Sequence, residues 1–147
     1  MTENEQGENM GHYVETAVVS HETALRAIDL ALEIGARRGV RVAATVVDPS
    51  LALVAFARAD GTMAHSTETS RRKANTSASS RRPSGWMQGE FAVALPMATG
   101  HLVTNIRGGV PLAADGRHLG GLGIAGGTPD EDAEIAAAVL AELGLDA

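Results

Sequence analysis

The stretch with the clearest potential for binding chemistry is glycine-rich and spans residues 107–135. Gly108 and Gly109 open a predicted strand, and Asp115-Gly116 is a typical two-residue hairpin turn. The second predicted strand, residues 119–125, contains three more glycines. Because glycine has no side chain, another backbone or a flat ligand can approach such a strand closely. The segment therefore predicts a ligand pocket.

The two ends of this stretch both favour a negatively charged ligand. Gly126 leads into Thr128–Glu131, a capping box with proline at the first helical position. Free amides at the start of a helix attract anions. At the other end, Arg107 precedes two glycines whose amides we expect to be free, so it could clamp a carboxylate or an oxyanion. The alternative for Arg107 is a salt bridge at the rim of the pocket.

Two histidines are candidate proton-transfer groups or metal ligands. His101 lies in a predicted loop just before the glycine-rich hairpin, and imidazole suits both roles. His65 begins a polar predicted helix and could be a ligand or a general base. The alternatives are a hydrogen-bonded loop histidine and a solvated helix-start histidine. No His-Glu-x-x-His spacing or cysteine is present, so we predict no dedicated metal site.

A short basic run, Arg71-Arg72-Lys73, could supply cations to the same pocket. Successive helical residues point about 100° apart, so one or two of the three could face a ligand. Lys or Arg there would bind a carboxylate or a phosphate. The alternative is a solvated helix face that pairs with nearby acids. Of the three, Lys73 is our candidate.

Composition excludes several classes of function. A net charge of −6 argues against nucleic-acid binding, and no apolar run reaches the ~18 residues of a membrane span. Residues 1–11 read as a disordered tail without a signal-peptide pattern, which favours the cytoplasm. Residues 12–147 are long enough for one domain with its own core. The core is rich in small side chains, which favours a homo-oligomer.

The hydrophobic pattern predicts an α/β (α+β) chain of alternating hairpins and helices. Short joins between the apolar runs make an antiparallel sheet with helices on its faces, and place the first hairpin centrally in the sheet. The predicted elements are a strand over 12–19, a helix over 20–38, strands over 40–47 and 51–57, a helix over 64–80, a short helix or lid over 86–95, a loop with a short strand over 96–106, a hairpin over 109–125 and a helix over 129–143.

Four segments in order resemble the GlcG/HbpS-like heme-binding family, which also includes the C-terminal domain of PduO-type proteins. Residues 46–61 are close to VVDxxGxLxAxxRMDG, and residues 73–78 to KAxTAA. Residues 108–116 match GGVPxxxDG, and residues 119–132 are close to IGAIGVSG…QDE. The resemblance covers about residues 14–143. Departures from the family pattern include Ser50, Ala59 and Ser77, and the positions of His101 and Arg107.

The resemblance implies a profilin-like fold, with α-β-α layers around a five-stranded antiparallel sheet. It also implies homo-oligomers from dimer to octamer and, for some members, heme as the bound group. Otherwise no cofactor is implied. Lys73 is the basic residue that matches the family motif.

Three functions remain open. The first is binding of heme or a similar planar molecule between the glycine-rich hairpin and the 65–107 segment, through Lys73, Gly108, Gly109, Gly126 and His101. The second is a cofactor-independent isomerase, cyclase or hydrolase for a carboxylated or carbonyl-bearing metabolite, with His101, Arg107 and His65 as catalytic groups. The third is an accessory subunit without chemistry of its own.

Overall fold

The computed structural model describes residues 11–146, which form an α+β architecture with four helices and one four-stranded antiparallel sheet. The predicted tail over 1–11 lies outside the described residues except for Gly11. The helices and strands are α1 (His21–Arg37), β1 (Ala43–Val47), β2 (Leu53–Arg58), α2 (Ser66–Ser80), α3 (Phe91–Ala98), β3 (Gly109–Ala114), β4 (Arg117–Ala125) and α4 (Pro129–Leu143).

The strand order is β2-β1-β4-β3, and every neighbouring pair is antiparallel. β1 lies between two strands, and all five of its residues are buried. β2 lies at the edge, with Leu53 and Phe56 exposed. The prediction that the whole first hairpin is central is therefore wrong for β2. The turn between β3 and β4 is Asp115-Gly116, as predicted, and both residues have positive φ as a two-residue hairpin requires.

The predicted five-stranded sheet is wrong, because the 12–19 segment does not join the sheet as a strand. Val19 N–H donates to the Leu119 carbonyl oxygen at 2.9 Å. Val14 is 89% exposed, so the apolar alternation that suggested a strand is not buried against a partner. β1 pairs with β4 over residues 121–125, and Leu119 lies beyond the end of that ladder.

The two faces of the sheet are covered by different helices. Successive residues of a strand point to opposite faces. Leu122 and Ile124 of β4 point into the main core, which α1 and α4 complete. Gly121 and Gly123 point the other way, towards α2. Local signals set the helix starts: Ser20 caps α1, and the Thr128–Glu131 capping box begins α4 as predicted.

The segment between α2 and β3 differs from its prediction. The short helix there is α3, residues 91–98, rather than 86–95, and no strand is assigned within residues 96–106. Side chains of α2 take the place of strand pairing. Asn75 Nδ2 donates to the Leu102 carbonyl at 3.0 Å, and Thr76 Oγ1 accepts from Thr104 N–H at 2.9 Å. These bonds tie the 102–106 backbone to the helix.

Candidate functional site

The strand glycines let α2 approach the sheet instead of forming a slot for a flat ligand. A Cβ atom on Gly109, Gly121 or Gly123 would collide with backbone carbonyl oxygens of α2. Of the two interpretations of a glycine-rich strand, close approach of another backbone is the one that the structure shows. No planar ligand fits between these glycines and the helix.

Three of the amides expected to be free for an anion are bound within the chain. Gly109 N–H donates to Ser84 Oγ at 2.8 Å. Gly127 N–H donates to Asp132 Oδ1 at 2.8 Å, and Thr128 N–H to Glu131 Oε1 at 2.9 Å. At the start of α4 the carboxylates of the chain itself therefore occupy the position that an external anion would take.

Lys73 and Asp132 form a buried ion pair between α2 and α4. Lys73 Nζ lies 3.0 Å from Asp132 Oδ2 and donates to the Ile124 carbonyl at 2.8 Å. Both side chains are 2% exposed. Burial lowers the pKa of Lys73 from its ordinary value of 10.5, and the neighbouring Asp132 carboxylate opposes that shift. Gly108 packs directly against this ammonium group.

Sequence reasoning missed Asp132 because a simpler explanation was sufficient. It follows Asp130 and Glu131 in the first turn of α4, where acids stabilise a helix through the helix dipole. A signal was nevertheless present. Asp132 lies three residues before Ile135 and four before Ala136, both fully buried, so helical spacing places it on the inward face.

A small cavity of about 100 Å³ lies beside this ion pair. It brings together three of the predicted site residues, because its lining includes His65, Lys73 and Gly126. The remaining polar lining comes from Ser66, Thr69 and Asp132. His65 is exposed at the N-cap of α2, and its side chain makes no capping hydrogen bond. The cavity is much smaller than a porphyrin site requires.

Arg107 lies at the surface and forms an ion pair with Asp130. Its side chain is 53% exposed, which corresponds to the rim salt bridge named as its alternative. The aliphatic part of Arg107 also covers Gly85. Arg107 is absent from the lining of the Lys73 cavity, although its neighbour Ile106 contributes to it.

His101 lies apart from the cavity, at the end of an unusual helix. α3 consists entirely of apolar residues and proline, yet none of its residues is buried. Phe91, Val93 and Met97 are among the exposed large apolar side chains, and Leu102 continues them beyond the helix. His101 is exposed and has a φ of 63°. Its N–H donates to the Pro96 carbonyl at 2.7 Å, which fixes the backbone that carries the imidazole.

Aromatic and basic groups border this helix. The rings of Trp86 and Phe91 have centroids 5.8 Å apart, and the Arg82 guanidinium lies 4.5 Å from the centre of the Trp86 ring. Trp86 Nε1 is buried without a hydrogen-bond partner among the described residues. We call Phe91, Val93, Met97, His101 and Leu102 the α3 surface.

Within residues 11–146 no group of three or more histidine or acidic side chains is arranged to hold a metal ion. No helix in the same part of the chain has the length and apolar character needed to cross a bilayer.

Comparison with known proteins assigns the chain to a family. The family described as "Haem degrading protein HbpS-like" matches residues 19–141. No curated protein matches the chain in sequence.

Three solved structures resemble this chain in fold. HbpS is 30% identical and superposes with a TM-score of 0.81, covering 91% of this chain and 96% of HbpS. A variant of HbpS from Streptomyces reticuli is 29% identical with the same score, covering 91% and 92% of the two chains. A PduOC:heme complex is 24% identical with a TM-score of 0.82, covering 88% and 98%. At that identity the PduOC match supports the fold alone.

Proposed function

Because the chain belongs to the HbpS-like family, we propose that it binds heme, and that it does so on the α3 surface. The family description names heme, and a similar structure is a heme complex. The composition and exposure of α3 support this location, because its eight residues have no polar side chain and none of them is buried. A helix of that composition is ordinarily covered.

The residues around α3 fit the chemistry of heme. A porphyrin needs an apolar face, an axial ligand and cations near its propionates. Val93 and Met97, which are four residues apart on the helix and both exposed, supply the apolar face, and His101 is the candidate axial ligand. Arg82, held over Trp86, and Arg107 are candidate partners for the propionates. Bound heme would supply iron for redox or dioxygen chemistry.

The chain's own contribution is to place the imidazole and to shield one face of the ligand. The hydrogen bond from His101 N–H to the Pro96 carbonyl holds the His101 backbone in a left-handed conformation. This fixes the position from which the imidazole side chain extends. The indole N–H of Trp86 lacks an acceptor within residues 11–146, and an oxygen of the ligand could supply one. Lys73, Gly108 and Gly109 are buried and Gly126 is half-buried, and these four residues take no part in this proposal.

We also propose that the chain forms homo-oligomers, from dimers to octamers. The exposed apolar side chains on α3 and in the 12–19 segment support this proposal, because burial of such side chains between copies is favourable. Native mass measured at several protein concentrations tests it. A monomer at every concentration would contradict it.

Hemin titration with two matched glutamate substitutions tests the heme proposal. Val93→Glu places a carboxylate on the α3 surface, whereas Leu25→Glu makes the same change at an exposed apolar position of α1. We expect a Soret band with the wild type and with Leu25→Glu, and at least about tenfold weaker binding with Val93→Glu, a loss of roughly 1.4 kcal/mol. Equal binding by both variants would contradict the proposed location.

A further inference from the structure

The single lysine of this chain is buried. Lys73 is the one lysine in the sequence, and every other basic side chain apart from histidine is arginine. Lys73 is 1% exposed and is held by Asp132 Oδ2 and the Ile124 carbonyl. An ammonium group has three hydrogens. These two contacts use two of them.

A buried ion pair needs an explanation beyond stability. Desolvation of the two charges offsets most of their attraction, and apolar residues of similar size often stabilise a fold as well or better. Lysine differs from arginine in one chemical respect that matters here: lysine can lose its proton inside a protein and become a nucleophile. The cavity gives such a nucleophile a place to react.

The geometry points to an imine-forming site: we propose that the cavity beside Lys73 binds a small aldehyde or 2-oxo acid, whose carbonyl carbon reacts with Lys73 Nζ. Nζ has Asp132 within proton-transfer distance, at 3.0 Å. Ser66, Thr69 and Gly126 line the same space and surround the carbonyl compound. A volume of about 100 Å³ limits the ligand to a few non-hydrogen atoms.

The reaction balances without any outside oxidant or reductant. Lys73 transfers one proton to Asp132, and the neutral amine attacks the carbonyl carbon. The C–N bond forms, the C=O π electrons move to oxygen, and the nitrogen passes a second proton to that oxygen to give a neutral carbinolamine. Asp132 then returns its proton to the hydroxyl group, the C–O bond breaks to release water, and the nitrogen lone pair forms the C=N bond. The product is a protonated imine, which keeps one positive charge beside the Asp132 carboxylate. The buried charges are therefore the same before and after the reaction.

Reductive trapping tests this proposal cleanly because only one lysine can react. The folded protein is incubated with pyruvate or acetaldehyde and cyanoborohydride at pH 7, and then cleaved at arginine. Lys73 lies between Arg72 and Arg81, so the adduct is found on peptide 73–81. We expect Lys73 to be trapped faster in the folded protein than in urea, because the cavity holds the carbonyl compound beside Nζ and burial lowers the pKa of Lys73, which raises the share of free amine.

A lysine with a purely structural role gives the opposite result. Burial then protects the amine, and Lys73 is trapped more slowly in the folded protein than in urea. That outcome with both probes would overturn the proposal. Trapping with acetaldehyde alone would assign an aldehyde site, and trapping with pyruvate would assign a 2-oxo acid site.

Two matched substitutions on α2 test the role of the cavity. Thr69→Met fills the cavity and leaves the Lys73–Asp132 pair in place, whereas Thr67→Met changes a residue of the same helix outside the lining. We expect Thr69→Met to abolish rapid trapping with little change in Tm, and Thr67→Met to retain it. Unchanged trapping in Thr69→Met would overturn the proposed site. Heme binding does not enter this experiment, so the two proposals can fail independently.

Discussion

At the residue scale, the Lys73–Asp132 pair contributes to stability mainly through what its loss would leave behind. The pair joins α2 to the start of α4 at a depth where neither group reaches water. Removal of one partner leaves the other charge buried without compensation. Exposed pairs such as Arg37–Glu142 lack this property because water solvates whichever partner remains.

We therefore expect Lys73→Met to lower the free energy of unfolding by about 3–5 kcal/mol. The double variant Lys73→Met/Asp132→Leu should recover part of that loss, because it removes the unpaired carboxylate. Arg37→Met is the control, with an expected change below about 1 kcal/mol. Urea denaturation measures all three variants. A double variant less stable than Lys73→Met would contradict this account.

The lowered pKa of Lys73 predicts how stability changes with pH. Between that pKa and 10.5 the unfolded chain binds a proton that the folded protein has released. The contribution of Lys73 to the free energy of unfolding should therefore increase as pH rises through that window. Below the window both states are protonated, and the full cost of burying the charge remains.

Comparison with Lys73→Arg and Lys73→Met isolates this effect. Arginine stays charged throughout the range and methionine does not titrate. Urea denaturation between pH 7 and 10.5 should show the wild type gaining stability relative to both variants. Parallel stability curves would show that the pKa of Lys73 is not lowered.

At the element scale, local sequence signals were reliable where one short segment contains the whole interaction. The Asp115-Gly116 turn and the capping box of α4 were both predicted and both form. The 12–19 segment shows the limit of this reasoning. Its alternation suits a strand, but a strand also needs a partner with free backbone groups, and that depends on distant residues.

The same limit explains the glycines of β4. The sequence indicated a close approach and left open what approaches. The structure identifies α2 as the partner, and we expect the packing to fail when the space is filled. Gly123→Ala would place a methyl group against the Ser70 carbonyl, whereas the nearest atoms to a Cβ on Gly127 are side-chain atoms, the closest at 3.0 Å.

Gly123→Ala should therefore destabilise the protein by at least about 1–3 kcal/mol, the usual cost of overpacking. Gly127→Ala should cost less, because side chains move more easily than a helix backbone. Thermal unfolding of the two variants checks the difference. Equal Tm values would mean that α2 is free to move away from the sheet.

At the scale of the whole molecule, the four motifs predicted the family correctly, while the site was predicted only in part. His65, Lys73 and Gly126 do meet at one cavity. His101 and Arg107 lie at the surface, on either side of the 102–106 backbone that is bound to α2. No local pattern contains that information, since it depends on contacts between separate elements.

The apolar residues of α3 have a consequence for the molecule as a whole. Phe91, Val93 and Met97 leave apolar area in water that a ligand or a second copy of the chain would cover. The role of His101 distinguishes a heme ligand from a second copy of the chain, because an iron ligand has a function there only if heme binds. The central claim therefore depends on this one imidazole.

Hemin difference titration of His101→Ala against His21→Ala is the most direct measurement. Both histidines are exposed, and His21 lies on α1, away from the α3 surface. We expect a Soret shift with the wild type and with His21→Ala, and with His101→Ala a lost shift and affinity at least about tenfold lower, roughly 1.4 kcal/mol. An unchanged Soret spectrum and affinity in His101→Ala would contradict the proposal.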